Sequence, residues 1–261
     1  MCFDPHDRPP IPPMAGGAHD HRSFELASTD GTPVRAFEAL AGDGSSRAAI
    51  LILPDARGLH AYYEELALRF AESGVDALAI DYFARTAGTG DRPDDFPYAE
   101  HLRQTRWQHL SADISAGAAR LDETAPGRAL FSIGFCFGGR LAFLAATWRR
   151  PRFAGSIGFY GVPVGPHRFG DTPAPADLAA DMHGAILGLF GGADQSIPES
   201  SVAQFDRALA DARVPHELHT YPAAPHSFFD RKATEFAAES ADAWRRVQAF
   251  IGERSPAGTP G

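Results

Sequence analysis

The chain has 261 residues, of which 44% are apolar and 22% charged, an ordinary globular composition. Its net charge of −9 argues against nucleic acid or anionic lipid as a partner. Two cysteines, Cys2 and Cys136, are too few for a secreted domain stapled by disulfides. Lys232 is the single lysine, so nearly all positive charge is arginine.

The first 22 residues carry Pro5, Pro9, Pro10, Pro12 and Pro13, which favour an extended or disordered arm. His19 and His21 lie there without the acids or cysteines that would complete a metal set. Residues 1–17 contain no apolar core of a signal peptide. No apolar run approaches the roughly 20 residues that span a bilayer. A soluble, cytoplasmic protein is expected.

Residues 23–27 and 34–40 flank Thr29-Asp30-Gly31 and read as a hairpin. The apolar run 48–53 suits a strand covered on both faces. Tyr63, Leu66, Ala67 and Phe70 recur at helical spacing, and Ser73-Gly74 ends that helix. A strand at 76–80 precedes one long helix over 98–122, with Leu110, Ile114 and Leu121 on one face. A strand at 129–134, a helix at 138–147 and strands at 156–160 and 185–190 follow. A helix at 199–212, a strand at 217–221 and a helix at 234–251 close the pattern, leaving a tail from 253.

Strands separated by helices predict βαβ units with right-handed crossovers. The fold class is α/β, with a mostly parallel central sheet covered by helices, in a single domain over 23–252. The stretches 87–97 and 162–181 leave the C-terminal ends of strands, where open α/β sheets place their sites. Both read as loops over the pocket.

The chemistry concentrates in three segments. Gly134-Phe135-Cys136-Phe137-Gly138-Gly139 follows an apolar strand and opens a helix, as a nucleophile elbow must. Such a turn strains the nucleophile's backbone, so glycines flank it, and the helix N-terminus favours negative charge there. Taken alone, the hexapeptide also suits a small buried cysteine. Asp194 sits in the loop after a strand, a position equally suited to a helix cap or turn. His226 lies between the last strand and the last helix. Together they follow the nucleophile, acid, histidine order of an α/β-hydrolase.

The expected roles are attack on a carbonyl carbon by Cys136, proton transfer by His226 and orientation of that histidine by Asp194. The backbone N–H groups of Phe137 and Ala56 are the expected oxyanion hole. No dinucleotide fingerprint, P-loop or zinc ligand cluster is present, so no cofactor and no metal is expected.

On these residues the chain resembles the dienelactone hydrolase (carboxymethylenebutenolidase) family from about residue 23 to residue 251. Further matching stretches are Pro54-Asp55-Ala56-Arg57-Gly58-Leu59, Asp81-Tyr82-Phe83-Ala84-Arg85, Gly158-Phe159-Tyr160-Gly161 and Pro225-His226-Ser227-Phe228. The specific feature is cysteine in an elbow where relatives mostly use serine. The resemblance implies hydrolysis of a small, carboxylate-bearing unsaturated lactone in aromatic breakdown.

It also implies an acid after the third strand that meets the resting cysteine. Asp55 stands there, one methylene shorter than the usual glutamate, and either reaches Cys136, or is a loop turn residue or an ion pair with Arg57. The family binds the substrate carboxylate with arginines, and Arg85 matches the first. The second place, four residues after the histidine, holds Asp230, with Arg231 next in line and Arg57 as a further candidate. Tyr160 either lines the pocket or fills the core. A monomer or weak homodimer acting on a small ester or lactone is expected. Two other classes compete: a redox-sensing Cys136, for which Cys2 is the only other thiol, and a binding scaffold without activity.

Overall fold

The computed structural model describes residues 7–14, 18–42, 46, 48–124, 126–168 and 170–255. Cys2, Pro5, His6 and residues 256–261 lie outside them, as does the side chain of His19.

All eight strands read from the sequence are present, in one sheet: β1 Ala18–Ala27, β2 Pro33–Ala41, β3 Ala48–Leu53, β4 Val75–Ile80, β5 Ala129–Phe135, β6 Gly155–Phe159, β7 Ala185–Gly191 and β8 His216–Tyr221. Their spatial order is β1-β2-β4-β3-β5-β6-β7-β8. β1 pairs antiparallel with β2, and β2 with β4; the rest of the sheet is parallel. The helices are α1 Ala61–Glu72, α2 Ala84–Ala87, α3 Tyr98–Gln104, α4 Trp107–Thr124, α5 Phe137–Ala145, α6 Glu199–Asp211 and α7 Ala237–Arg254.

Every side chain of β3 and β4 is buried, as their unbroken apolar runs require. Alternate residues leave opposite faces of a strand. Ile50 and Ile52 join the apolar residues of α1 and α7, whereas Ala49, Leu51 and Leu53 join those of α4 and α5. The sheet is thus covered on both faces, the α/β-hydrolase arrangement. From β3 the chain crosses to β4 on one side, then returns to place β5 on the other. The crevice beyond the C-terminal ends of β3 and β5 is therefore a topological switch point, where such sheets bind ligands.

Four details differ from the sequence reading. β1 begins at Ala18, not residue 23, and Arg8 of the preceding stretch pairs with Glu65 of α1 at 3.1 Å. The long helix over 98–122 is two helices. Thr105 takes extended backbone between them, and its hydroxyl bonds the Leu102 carbonyl. The new helix start is capped by Asp171, whose carboxylate accepts the Trp107 N–H at 2.5 Å. That cap lies 64 positions along the chain, so no local pattern announces it. The stretch after β4 forms the single turn α2, and a 3-10 helix, Pro175–Asp181, sits within the 162–181 stretch.

Phe143 of α5 ties these layers together. It is fully buried against Phe190 and Phe205, and its ring occupies the space a side chain at Gly158 would need. Phe143→Ala should lower stability by about 3–5 kcal/mol, the cost of deleting a large buried aromatic, measured as a shift in urea midpoint.

Candidate active site

Cys136 sits between β5 and α5 with φ 55° and ψ −111°, a conformation in which an L-residue is strained. Its neighbours explain why the turn can be so sharp. A Cβ on Gly134 would lie 1.9 Å from the Gly138 carbonyl oxygen, and one on Gly138 would lie 2.0 Å from that of Leu53. Glycine is therefore required at both places, and α5 packs directly on the end of β3. Cys136 is a free, half-buried cysteine.

Asp194 and His226 converge from the loops after β7 and β8. Asp194 Oδ2 lies 2.6 Å from His226 Nδ1. The other carboxylate oxygen accepts the Ser196 N–H at 2.8 Å and the Ser196 hydroxyl at 2.6 Å. Burial works to raise the Asp194 pKa, but the His226 and Ser196 hydrogen bonds outweigh it and hold the carboxyl below its ordinary range. Ser196 was not singled out from sequence, although a hydroxyl two places after a loop acid is a known local partner.

Cys136, His226 and Ser196 open onto one cavity of about 500 Å³. Ala56 and Phe137 line it beside the cysteine, the first from the loop after β3, the second from the start of α5. The β3 loop is held from below. Asp55 N–H donates to the Tyr63 hydroxyl, Tyr82 donates to the Pro54 carbonyl, and the Leu59 N–H donates to Asp81. Asp55 is fully buried, and its carboxylate accepts the Arg57 N–H at 2.8 Å.

The arginines are distributed differently from expectation. Arg85 is not among the described residues that line the cavity. It grips both oxygens of Asp113 at 2.8 and 2.6 Å and reaches Asp30 at 2.7 Å. Asp113 is almost fully buried on α4, so the guanidinium is spent on stabilising that charge. Arg57 and Arg231 do line the cavity, joined by Arg168 and His167. These last two stand in the 162–181 stretch read as pocket cover, but an irregular loop has no period to tell which side chains face inward. No Asp or Glu is among the described residues lining the cavity.

Tyr160 is core, not pocket lining. It is fully buried with φ 38°, packs its ring 4.8 Å from that of His226 and donates to Asp230 Oδ2 at 2.7 Å. Burial pushes the Asp230 carboxyl well above its ordinary range, and the charge of Asp55 pushes the same way. Among the described residues no group of three or more His, Cys, Asp or Glu is placed to hold a metal.

Two predictions arise from these pairings. Arg85→Met strands a buried Asp113 and should cost about 3–5 kcal/mol of stability by urea denaturation. Adding Asp113→Leu should restore most of the loss. For Asp194, a carboxyl held low in the folded state adds stability above about pH 4 that fades as pH falls through the folded value. The stability gap between the native chain and Asp194→Asn should therefore be widest above about pH 4 and close in stronger acid.

The chain matches the Dienelactone hydrolase family over residues 37–255. A relative from Methylorubrum extorquens, named "Putative carboxymethylenebutenolidase", is 29% identical over 219 residues, covering 82% of this chain and 75% of that one. A relative of the same name from Escherichia coli K12 is 31% identical over 209 residues, covering 76% and 74%. The crystal structure titled "Putative Dienelactone Hydrolase" from Klebsiella pneumoniae superposes with a TM-score of 0.72 at 26% identity, covering 90% of this chain and 99% of that one. With an α/β-hydrolase sheet, a strained elbow and a profile match over most of its length, the chain belongs to the dienelactone hydrolase family of lactone and ester hydrolases.

Proposed function

We propose that the chain hydrolyses a small carboxylate-bearing ester or lactone through an acyl-cysteine intermediate. The observation that carries this reading is the 2.6 Å contact between Asp194 and His226 Nδ1, in the same cavity as an elbow cysteine. With Nδ1 engaged, Nε2 is the imidazole nitrogen that serves the thiol.

The steps follow from these positions. His226 accepts the thiol proton as Cys136 Sγ bonds to the ester carbonyl carbon. Charge then collects on the carbonyl oxygen, where the N–H groups of Phe137 and Ala56 receive it at the start of α5. The tetrahedral adduct collapses, the C–O bond to the leaving oxygen breaks, and His226 returns its proton to that oxygen. In a lactone the freed hydroxyl stays attached to the acyl group. Water next gives a proton to His226 and its oxygen to the thioester carbon, and the carboxylic acid departs as Cys136 regains its proton. Asp194, ionised throughout, steadies the imidazolium in both halves.

The three arginines and absence of acids in the cavity lining suit an anionic substrate in a protein whose net charge is −9. Chemistry at a reduced thiol suits the cytoplasm, and no helix among the described residues is long and apolar enough to cross a membrane.

Cys136→Ala should abolish turnover of a dienelactone and of an aryl ester while leaving the circular dichroism spectrum intact. Asp194→Asn should lower kcat by about 10⁴, the size seen when a triad acid is neutralised. Rapid quenching of the native chain with an aryl ester should give a mass increase of one acyl group on the Cys136 peptide. Full activity in Cys136→Ala would sink the proposal.

A further inference from the structure

The loops that carry Asp194 and His226 are joined backbone to backbone. The Gly192 N–H donates to the Tyr221 carbonyl at 2.8 Å, and the Ala193 N–H to the Ala224 carbonyl at 3.0 Å. A Cβ on Gly191 would lie 2.3 Å from the Ala224 oxygen, and one on Gly192 would lie 2.6 Å from the Pro222 oxygen. This close approach sets Asp194 beside His226, but it does not decide which way the carboxylate turns. A carboxylate has two equivalent oxygens, and one of them has to be kept for the imidazole.

Ser196 makes that choice. Its N–H and its hydroxyl both donate to Asp194 Oδ1, at 2.8 and 2.6 Å, which leaves Oδ2 for His226 Nδ1 at 2.6 Å. The same hydroxyl oxygen lies 3.4 Å from Nδ1. Having given its proton to Asp194, it turns only lone pairs toward that nitrogen, which favours the tautomer with the proton on Nδ1. Ser196 thus meets both members of the pair from the exposed rim of the cavity. Against burial, which works to raise the Asp194 carboxyl, the His226 contact and both Ser196 bonds hold it low. A carboxylate relieved of one donor becomes more basic and holds an imidazolium more tightly.

Resting on the hydrolase reading above, we propose that Ser196 is a positioning residue for the reaction, whose hydroxyl turns the Asp194 carboxylate toward His226 and limits how tightly that carboxylate holds the imidazolium. It acts through Asp194 and not on the substrate. The local turn does not need the hydroxyl, because the Ser196 N–H closes it on Asp194 whatever the side chain. Ser196→Ala therefore removes the hydroxyl and keeps the turn.

The test follows hydrolysis of a neutral aryl ester as a function of pH. The acid limb of kcat/KM reports the base of the free enzyme, here His226. Besides Asp194, the titratable and charged groups around that ring are Cys136 of the elbow, Tyr160 beyond β6, Asp230 on its own loop, and Arg57, His167, Arg168 and Arg231 on the cavity lining. Ser196→Ala alters none of them, so a moved limb comes through Asp194. In that variant the limb should move to higher pH, and plateau kcat should fall about tenfold at unchanged KM, the scale of one hydrogen bond to a charged group. Ser196→Thr keeps the hydroxyl and should return both toward native. In an Asp194→Asn background, removing the hydroxyl should change kcat by less than about twofold, since the carboxylate it acts through is gone. An unmoved limb, or a full tenfold loss that persists in the Asp194→Asn background, overturns the proposal. Cys136→Ala is run beside these variants. If turnover survives there, the acyl-cysteine reading falls, while the Ser196→Ala limb, which needs only His226 as base, still judges this proposal.

Discussion

The molecule turns on the contact between the start of α5 and the end of β3. At Gly138 the helix backbone comes so near the Leu53 and Pro54 carbonyls that no Cβ fits. That approach forces Cys136 to φ 55° and lifts its thiol into the crevice at the sheet's switch point. Ala56 and Phe137 line the cavity beside it, so one steric constraint places the elbow cysteine and both expected oxyanion donors. The strain has to be held by surroundings that cannot relax. Phe143 locks α5 into the core, and Tyr63, Tyr82 and Asp81 brace the β3 loop from below.

Charge follows a similar logic of fixed positions. In a protein with a net charge of −9, the described residues lining the cavity include three arginines and no acid. The two buried arginine roles are separate. Arg85 neutralises Asp113 inside the helical layer, and Arg140 organises backbone carbonyls that would otherwise have no donor. Neither would be replaced well by lysine, whose point charge cannot serve several acceptors in one plane.

Much of this was legible in the sequence because it is periodic or locally constrained. Unbroken apolar runs such as 48–53 announce buried strands, and glycines at 134 and 138 around Cys136 announce an elbow. Asp194 and His226 were found by their order along the chain, which the βαβ pattern converts into adjacency in space. What sequence did not carry is long-range side-chain pairing. Arg85 matches the family's arginine in position, yet its partners lie 28 and 55 residues away. The break at Thr105 depends on Asp171, and the chain after β6 is held by Arg140 of α5, whose acceptors lie 22 to 32 residues away. Each of these is settled by a contact that no local window contains.

The acid at position 230 shows how such pairings reshape a site. Where the family pattern has an arginine, this chain has a carboxyl that is buried, receives the Tyr160 hydroxyl and lies under the influence of Asp55. Two buried carboxyls in one neighbourhood cannot both ionise cheaply, and burial together with the charge of Asp55 pushes the Asp230 carboxyl well above its ordinary range. The Tyr160 hydroxyl donates to Asp230, and the Tyr160 ring packs 4.8 Å from that of His226. The position thus supports the ring that packs on the histidine, while the arginines at 57, 168 and 231 line the cavity. What Asp230 does is therefore legible only in three dimensions, where a buried contact with Tyr160 ties it to the histidine rather than to the cavity lining.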